Sequence, residues 1–169
     1  MSFAVWLTGL SGSGKSAIAR ELLGRLHARG VRVAVLESDV LRTQLTPFPT
    51  YDEGERDFFY GALQSLGAFV CAAGRAVLFD ATANRRRYRD AARQAIARFA
   101  EVHVDTPLEV CRARDPKGLY RNDKLRSLPG VHAAYEPPLV PELVVHGERG
   151  TPGEAADKIV AFLARRGWI

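Results

Sequence analysis

Short apolar runs alternate along this chain with stretches in which apolar positions recur every three or four residues. The first pattern predicts buried strands and the second amphipathic helices. Ser2–Thr8 reads as a strand. Ala17–Arg29, with Ile18, Leu22, Leu23 and Leu26 on one face, reads as the helix that follows, and Gly30 stops it. Val31–Leu36, rich in β-branched residues, predicts a second strand. Pro47 and Pro49 mark a loop. Asp52–Ala73 carries Phe59, Leu63, Leu66, Phe69 and Val70 at helical spacing and ends at Gly74. Ala76–Phe79, Glu101–Val104 and Glu142–Val145 are further strands, while Arg86–Phe99 and Pro107–Arg114 are helices. Thr151–Glu154 has the form of a capping box that opens a last helix running to Arg166. Strands alternating with helices predict an α/β fold, a parallel sheet of five strands covered on both faces. The segment from 115 to 141 is rich in proline and charge and too long for a simple connection, which predicts a functional lid.

Composition narrows the class. A chain of 169 residues suggests one domain. A hydrophobic fraction of 47% with 25% charged residues excludes disorder, collagen and coiled coil. The two cysteines, Cys71 and Cys111, make no disulfide framework, and neither CxxC pairs nor clustered histidines suggest zinc. The apolar stretch Gly61–Phe79 is broken by Gln64, Ser65 and Arg75, so no membrane span is expected. No basic leader precedes the first strand, and a cytoplasmic location is expected. A net charge of +5 favours anionic partners, although a solvated basic surface gives the same number.

The decisive motif is Gly9-Leu10-Ser11-Gly12-Ser13-Gly14-Lys15-Ser16, a full G-x-x-x-x-G-K-[ST] between a predicted strand and a predicted helix. Glycines let the backbone wrap around phosphate oxygens, and successive N–H groups form an anion nest at a helix N-terminus. Lys15 then reaches the β- and γ-phosphates of ATP, and the Ser16 hydroxyl can ligate Mg²⁺. The motif alone does not separate kinase, GTPase and ATPase. The missing NKxD signature, the small size and the lid point to a small-molecule kinase of the three-layer α/β/α P-loop type.

Several segments resemble the adenylylsulfate kinase (APS kinase) family. These are the GLSGSGKS loop at Gly9–Ser16, the block DTPLEVCRARDPKGLY at Asp105–Tyr120, and the Tyr135-Glu136-Pro137-Pro138 and Pro141-Glu142 stretch. The resemblance implies phosphoryl transfer from MgATP to the 3′-hydroxyl of adenylylsulfate, as in sulfate assimilation. It also implies a homodimer, with neither membrane nor nucleic acid as partner. The lid would close over ATP, with Arg114 near the adenine and Lys117 near the transferring phosphate; Arg121, Lys124 and Arg126 add further lid cations. The acceptor half departs from the family. The family's Asp-Gly-Asp-x-x-Arg reads Glu37-Ser38-Asp39-Val40-Leu41-Arg42 here. In its Asp-Arg-x-x-Asn-x-Arg-Arg pattern, Arg56 is kept, but Phe59, Gly61 and Ala62 replace the Asn and the paired Args. The Ile-Ser-Pro-Tyr-Arg segment keeps only Arg86, and the lid's Phe-Thr-Gly becomes Leu128-Pro129-Gly130.

The candidate acceptor residues are therefore Asp39, Arg42, Arg56 and Arg86. Asp39 follows a strand at the sheet's carboxyl edge, where it can take the acceptor's proton or bind Mg²⁺ through water. The plainer role for it is a helix N-cap. Asp80 ends an apolar strand like a Walker B carboxylate that holds Mg²⁺, or else caps the next helix. Arg85, Arg89 and Arg93 are four apart and form a stripe, expected to be a solvated face apart from the neighbouring Arg86. Alternatives are a kinase of another nucleotide-linked or small-molecule acceptor, a 5′-hydroxyl nucleic-acid kinase suggested by Asp80-Ala81-Thr82-Ala83-Asn84, and a nucleotide-binding protein without catalysis.

Overall fold

The computed structural model describes residues 2–122 and 127–169. Its order is β1(Ala4–Thr8), α1(Lys15–His27), β2(Val33–Glu37), α2(Ser38–Leu45), α3(Glu53–Ala72), β3(Ala76–Asp80), α4(Arg86–Ala95), β4(Phe99–Asp105), α5(Leu108–Arg114), β5(Leu143–His146) and α6(Pro152–Arg165). The strands form one sheet in the order β2-β3-β1-β4-β5, and every pairing is parallel. This is the expected α/β/α arrangement.

The central strand shows why the sheet needs two covering layers. Successive side chains of a strand face opposite ways. Phe3, Val5 and Leu7 join Ile18, Leu22, Ile159 and Leu163 beneath α1 and α6. Ala4 and Trp6 join Phe59, Leu63, Phe79 and Tyr88 beneath α3 and α4. The Trp6 ring stacks on Phe79 with centroids 4.3 Å apart, and its N–H donates to the Ala81 carbonyl at 3.0 Å. Burial without an orphaned donor is what an indole in a core requires.

Helix ends follow the sequence signals. Thr151 and Glu154 cap each other at the start of α6, completing the expected box. Asp52 accepts the Glu55 N–H at 2.8 Å and opens α3.

Three expectations are corrected. α2 is implied in the sequence only by reading Asp39 as a helix cap, and it starts one residue before Asp39, at Ser38; none of its residues is fully buried, so it leaves no strong apolar stripe to read. The helix expected over Arg86–Phe99 stops at Ala95, because Phe99 pairs with Ala4 and begins β4. The third concerns the arginine stripe. Arg89 is 1% exposed and its guanidinium forms an ion pair with the buried Glu101. Arg93 pairs with Glu142 and Glu101, and Arg85 with Glu136. The stripe faces carboxylates supplied by β4 and by the segment before β5, so it is an ion-pair ladder, buried at Arg89 and part-exposed at Arg85 and Arg93.

The segment from 115 to 141 lacks named helices or strands among its described residues but is tied down at several points. Asn84 Nδ2 donates to the Ala134 carbonyl, Glu136 N–H to the Asn84 carbonyl, and the Tyr135 hydroxyl meets Thr8 Oγ1. Lys124 and Arg126 lie outside the described residues. Among the described residues no helix is long and apolar enough to cross a membrane.

Candidate active site

The glycine loop leaves β1 and enters α1 at the sheet's carboxyl edge, the edge at which open α/β folds hold ligands. Neighbours on both sides press against it. Gly12 sits at φ +76°, and a Cβ there would lie 2.8 Å from the Cys111 carbonyl oxygen of α5. Both the left-handed backbone and the close approach demand glycine. Thr106 Oγ1 donates to the Ser13 carbonyl at 2.9 Å. The Tyr120 hydroxyl donates to the Ser11 carbonyl at 2.8 Å, so the segment after α5 holds the crown of the loop.

Gly147 belongs to this assembly, although no motif marks it. A Cβ at that position would lie 2.0 Å from the Ser13 carbonyl oxygen and 2.3 Å from Thr106 Oγ1. The Gly147 carbonyl also accepts from Arg114 at 2.8 Å. Its only signal is a glycine just beyond a short apolar strand.

Lys15 begins α1 and is buried. Its Nζ donates to the carbonyls of Gly9 at 2.9 Å and Leu10 at 2.8 Å. Burial pulls its pKa down to about 8, while the Asp80 carboxylate opposes the shift. Asp80 is itself buried at the end of β3. It caps nothing, because α4 starts at Arg86 with Arg85 in the capping position. Asp39 is likewise not a cap; Glu37 holds that position, and Asp39 lies in the first turn of α2. There it forms an ion pair with Lys117. Burial opposes the charge on Lys117, yet the Asp39 carboxylate holds its pKa above the ordinary value.

These groups share one cavity of about 940 Å³. Ser11, Gly12, Gly14, Lys15 and Ser16 line one part, with Arg114, Gly147 and Thr151 beside them. Asp39, Asp80 and Lys117 line the middle, and Arg42, Tyr51, Arg56, Tyr60 and Leu128 the far end. Gly9 and Ser13 support the loop from below without lining the cavity. Arg86 does not line it either: its backbone N–H donates to Glu136 and its guanidinium to the Pro137 carbonyl. Among the described residues the cavity thus gathers the candidate side chains except Arg86, Ser13 and the lid cation Arg121, which pairs with Asp115.

The two arginines at the far end are engaged differently. Arg56 is buried and donates to the Tyr51 carbonyl, Asn84 Oδ1 and the Ser127 carbonyl. It joins α3, the loop after β3 and the segment 115–141. Arg42 pairs with Glu55, and its guanidinium carbon stands 4.0 Å from the Phe59 ring centroid and 5.0 Å from that of Tyr51.

The sequence model of the adenylylsulphate kinase family matches residues 1–146. The chain belongs to that family. An adenylyl-sulfate kinase of Microcystis aeruginosa is 37% identical to it over 98% of this chain and 93% of its own length. A probable adenylyl-sulfate kinase of Pyrococcus abyssi is 34% identical over 99% of this chain and 98% of its own length. The Mycobacterium tuberculosis APS kinase, solved in complex with AMPPNP and APS, superposes with a TM-score of 0.89 at 32% identity, covering 96% of this chain and 98% of that one. Membership makes this APS kinase-family chain a P-loop kinase.

Proposed function

We propose that the protein transfers the γ-phosphoryl group of MgATP to the 3′-hydroxyl of adenylylsulfate. The observation that carries this reading is the single cavity, which runs from the glycine loop past Asp39, Asp80 and Lys117 to the aromatic, arginine-bearing end. Donor and acceptor sites facing each other across a few side chains are what in-line phosphoryl transfer needs.

In this reading the loop N–H groups and the start of α1 cradle the phosphates, and Lys15 neutralises charge on the transferring group. Arg114 serves the adenine end and Lys117 the transferring phosphate. Asp39 takes the proton of the attacking hydroxyl, and Arg42 and Arg56 form the acceptor end. The Ser16 hydroxyl and the Asp80 carboxylate, hard oxygen donors lining the same cavity as Lys15, fit Mg²⁺. Among the described residues no cluster of three His, Cys, Asp or Glu could hold a metal unaided. That suits Mg²⁺, which is usually held by one or two protein oxygens plus substrate phosphates and water. When bound, the metal would offset the negative charge of the phosphate groups. The segment 115–141 acts as the lid of a single domain and excludes water from the transfer.

The test is ADP release from MgATP with and without adenylylsulfate. Release that depends on adenylylsulfate is expected. If adenylylsulfate leaves ADP release unchanged, the acceptor assignment is wrong.

A second expectation concerns protons. Lys15 has a pKa of about 8 in the free protein, against 10.5 for an ordinary lysine. A polyphosphate favours the ammonium form, so binding raises that value. Above about pH 8 nucleotide binding should therefore take up close to one proton, and affinity should fall as pH rises further. Calorimetry in buffers of different ionisation enthalpy reads the uptake directly. Zero uptake at pH about 9 would exclude Lys15 as the titrating group.

A further inference from the structure

Resting on the acceptor assignment just made, we propose that Glu55 is a positioning residue that sets how strongly the acceptor end responds to charge, acting through Arg42. Arg42 lines the cavity, and its Nη1 donates to Glu55, which does not line it. The side chains of the pair are only 11% and 13% exposed. Phe59 lies under the guanidinium at 4.0 Å, Tyr51 stands at 5.0 Å and Tyr60 at 5.8 Å. Three rings and one carboxylate thus enclose the cation. Glu55 also accepts the Tyr51 N–H at 2.5 Å, so the same carboxylate fixes the turn that carries one wall of the cage.

This arrangement changes what Arg42 offers an acceptor. An arginine whose fork is open takes a phosphate or sulfate through two parallel hydrogen bonds. Arg42 instead shares its charge with Glu55 and lies flat on Phe59, the residue standing where the family's pattern has Asn. Arg56 does not compensate, because its donors already serve three protein oxygens. The acceptor end therefore binds through shape and aromatic contact, with its attraction for anions moderated by Glu55. In a half-buried site such a neighbouring charge is little screened.

The experiment compares two ligands that share one nucleoside and differ by an anionic phosphate, adenosine and adenosine 5′-monophosphate, binding to the ADP-loaded protein by calorimetry. In Glu55→Gln the preference for the phosphorylated ligand should rise about tenfold over the wild type, as expected for removing one negative charge near the site. Glu55→Asp, which keeps the charge, should return that ratio toward the wild-type value. Thermal melting of both variants shows that they are folded. A preference that stays within about twofold of wild type, or one that falls, overturns the proposal. This outcome is separable from the assignment above: failure of adenylylsulfate turnover would remove the assigned reaction, whereas the ratio of affinities is read without turnover.

Discussion

Replacing Lys15 by alanine is expected to lower turnover about a thousandfold while leaving the fold intact. Lys15 is buried at the start of α1 and held by the carbonyls of Gly9 and Leu10. Those contacts fix the ammonium at the mouth of the glycine loop, where the transferring group gathers negative charge. A fixed cation in a site shielded from water stabilises that charge far more than a solvated one does. Stability moves in the other direction. Burial depresses the pKa of Lys15 to about 8, so the folded state holds the charged form at a cost at neutral pH. The unfolded chain binds the proton more tightly between about pH 8 and 10.5, and stability from this group rises with pH across that window. Alanine removes the cost along with the charge. The melting temperature of Lys15→Ala should thus equal or exceed that of the wild type at neutral pH. Steady-state ADP release and a thermal melt check both halves. A fall in turnover below about tenfold would remove Lys15 from the chemistry.

The second large effect is on stability. Arg89→Met is expected to destabilise the protein by about 3 kcal/mol or more. The change leaves Glu101 buried beside β1 with only Arg93, at 3.3 Å, to answer its charge. Removing one partner of a buried pair costs more than the pair itself contributes, because the remaining ion has lost both water and counter-charge. Three further bonds go with the guanidinium, to the Ala83, Arg85 and Glu136 carbonyls. Ala83 sits at a positive φ of 43°, so it lies in a backbone conformation that needs holding. For a chain this long the loss corresponds to a drop of roughly 10 °C in melting temperature. Denaturant unfolding of Arg89→Met checks it. A loss smaller than about 1 kcal/mol would show that Arg93 alone satisfies Glu101.

The two halves of the site differ in how far the sequence revealed them. The phosphate loop was legible because its function is performed by backbone. Wrapping N–H groups around an anion requires glycine at fixed spacing, and spacing is what a sequence displays. Asp39, Asp80 and Lys117 could be named because strand ends and a lid entrance locate them. Gly147 could not, since its need for a hydrogen side chain arises from the Ser13 carbonyl, far away in the chain. The arginine stripe had its period read correctly and its face read wrongly. Periodicity shows which residues share a face, but the carboxylates that pair with Arg85, Arg89 and Arg93, and that let Arg89 be buried, come from Glu136, Glu101 and Glu142 on other elements. Arg42 and Arg56 were recognised as acceptor candidates, yet their engagement by Glu55, Asn84 and Ser127 is a property of the folded contacts alone. α2 is signalled only through a cap at Asp39, because a helix that rests just Leu41 against the core has little hydrophobic rhythm.

The strand order has a consequence for how such an enzyme can diverge. With β1 in the middle, the proposed nucleotide apparatus hangs on α1, β4, α5 and the turn after β5, whereas Arg42 and Arg56 stand on α2 and α3, and Tyr51 on the loop between them, beside β2 and β3. The two proposed specificities are carried by opposite wings of one sheet, with Trp6 and Phe79 sealed in its core. Asp39 is the tie between the wings, because it sits on α2 and pairs with Lys117. With Asp39 kept, inheritance of the donor and innovation in the acceptor are uncoupled, and a graft of α2 and α3 from a kin enzyme becomes a rational way to reprogram the partner molecule while keeping the fuel.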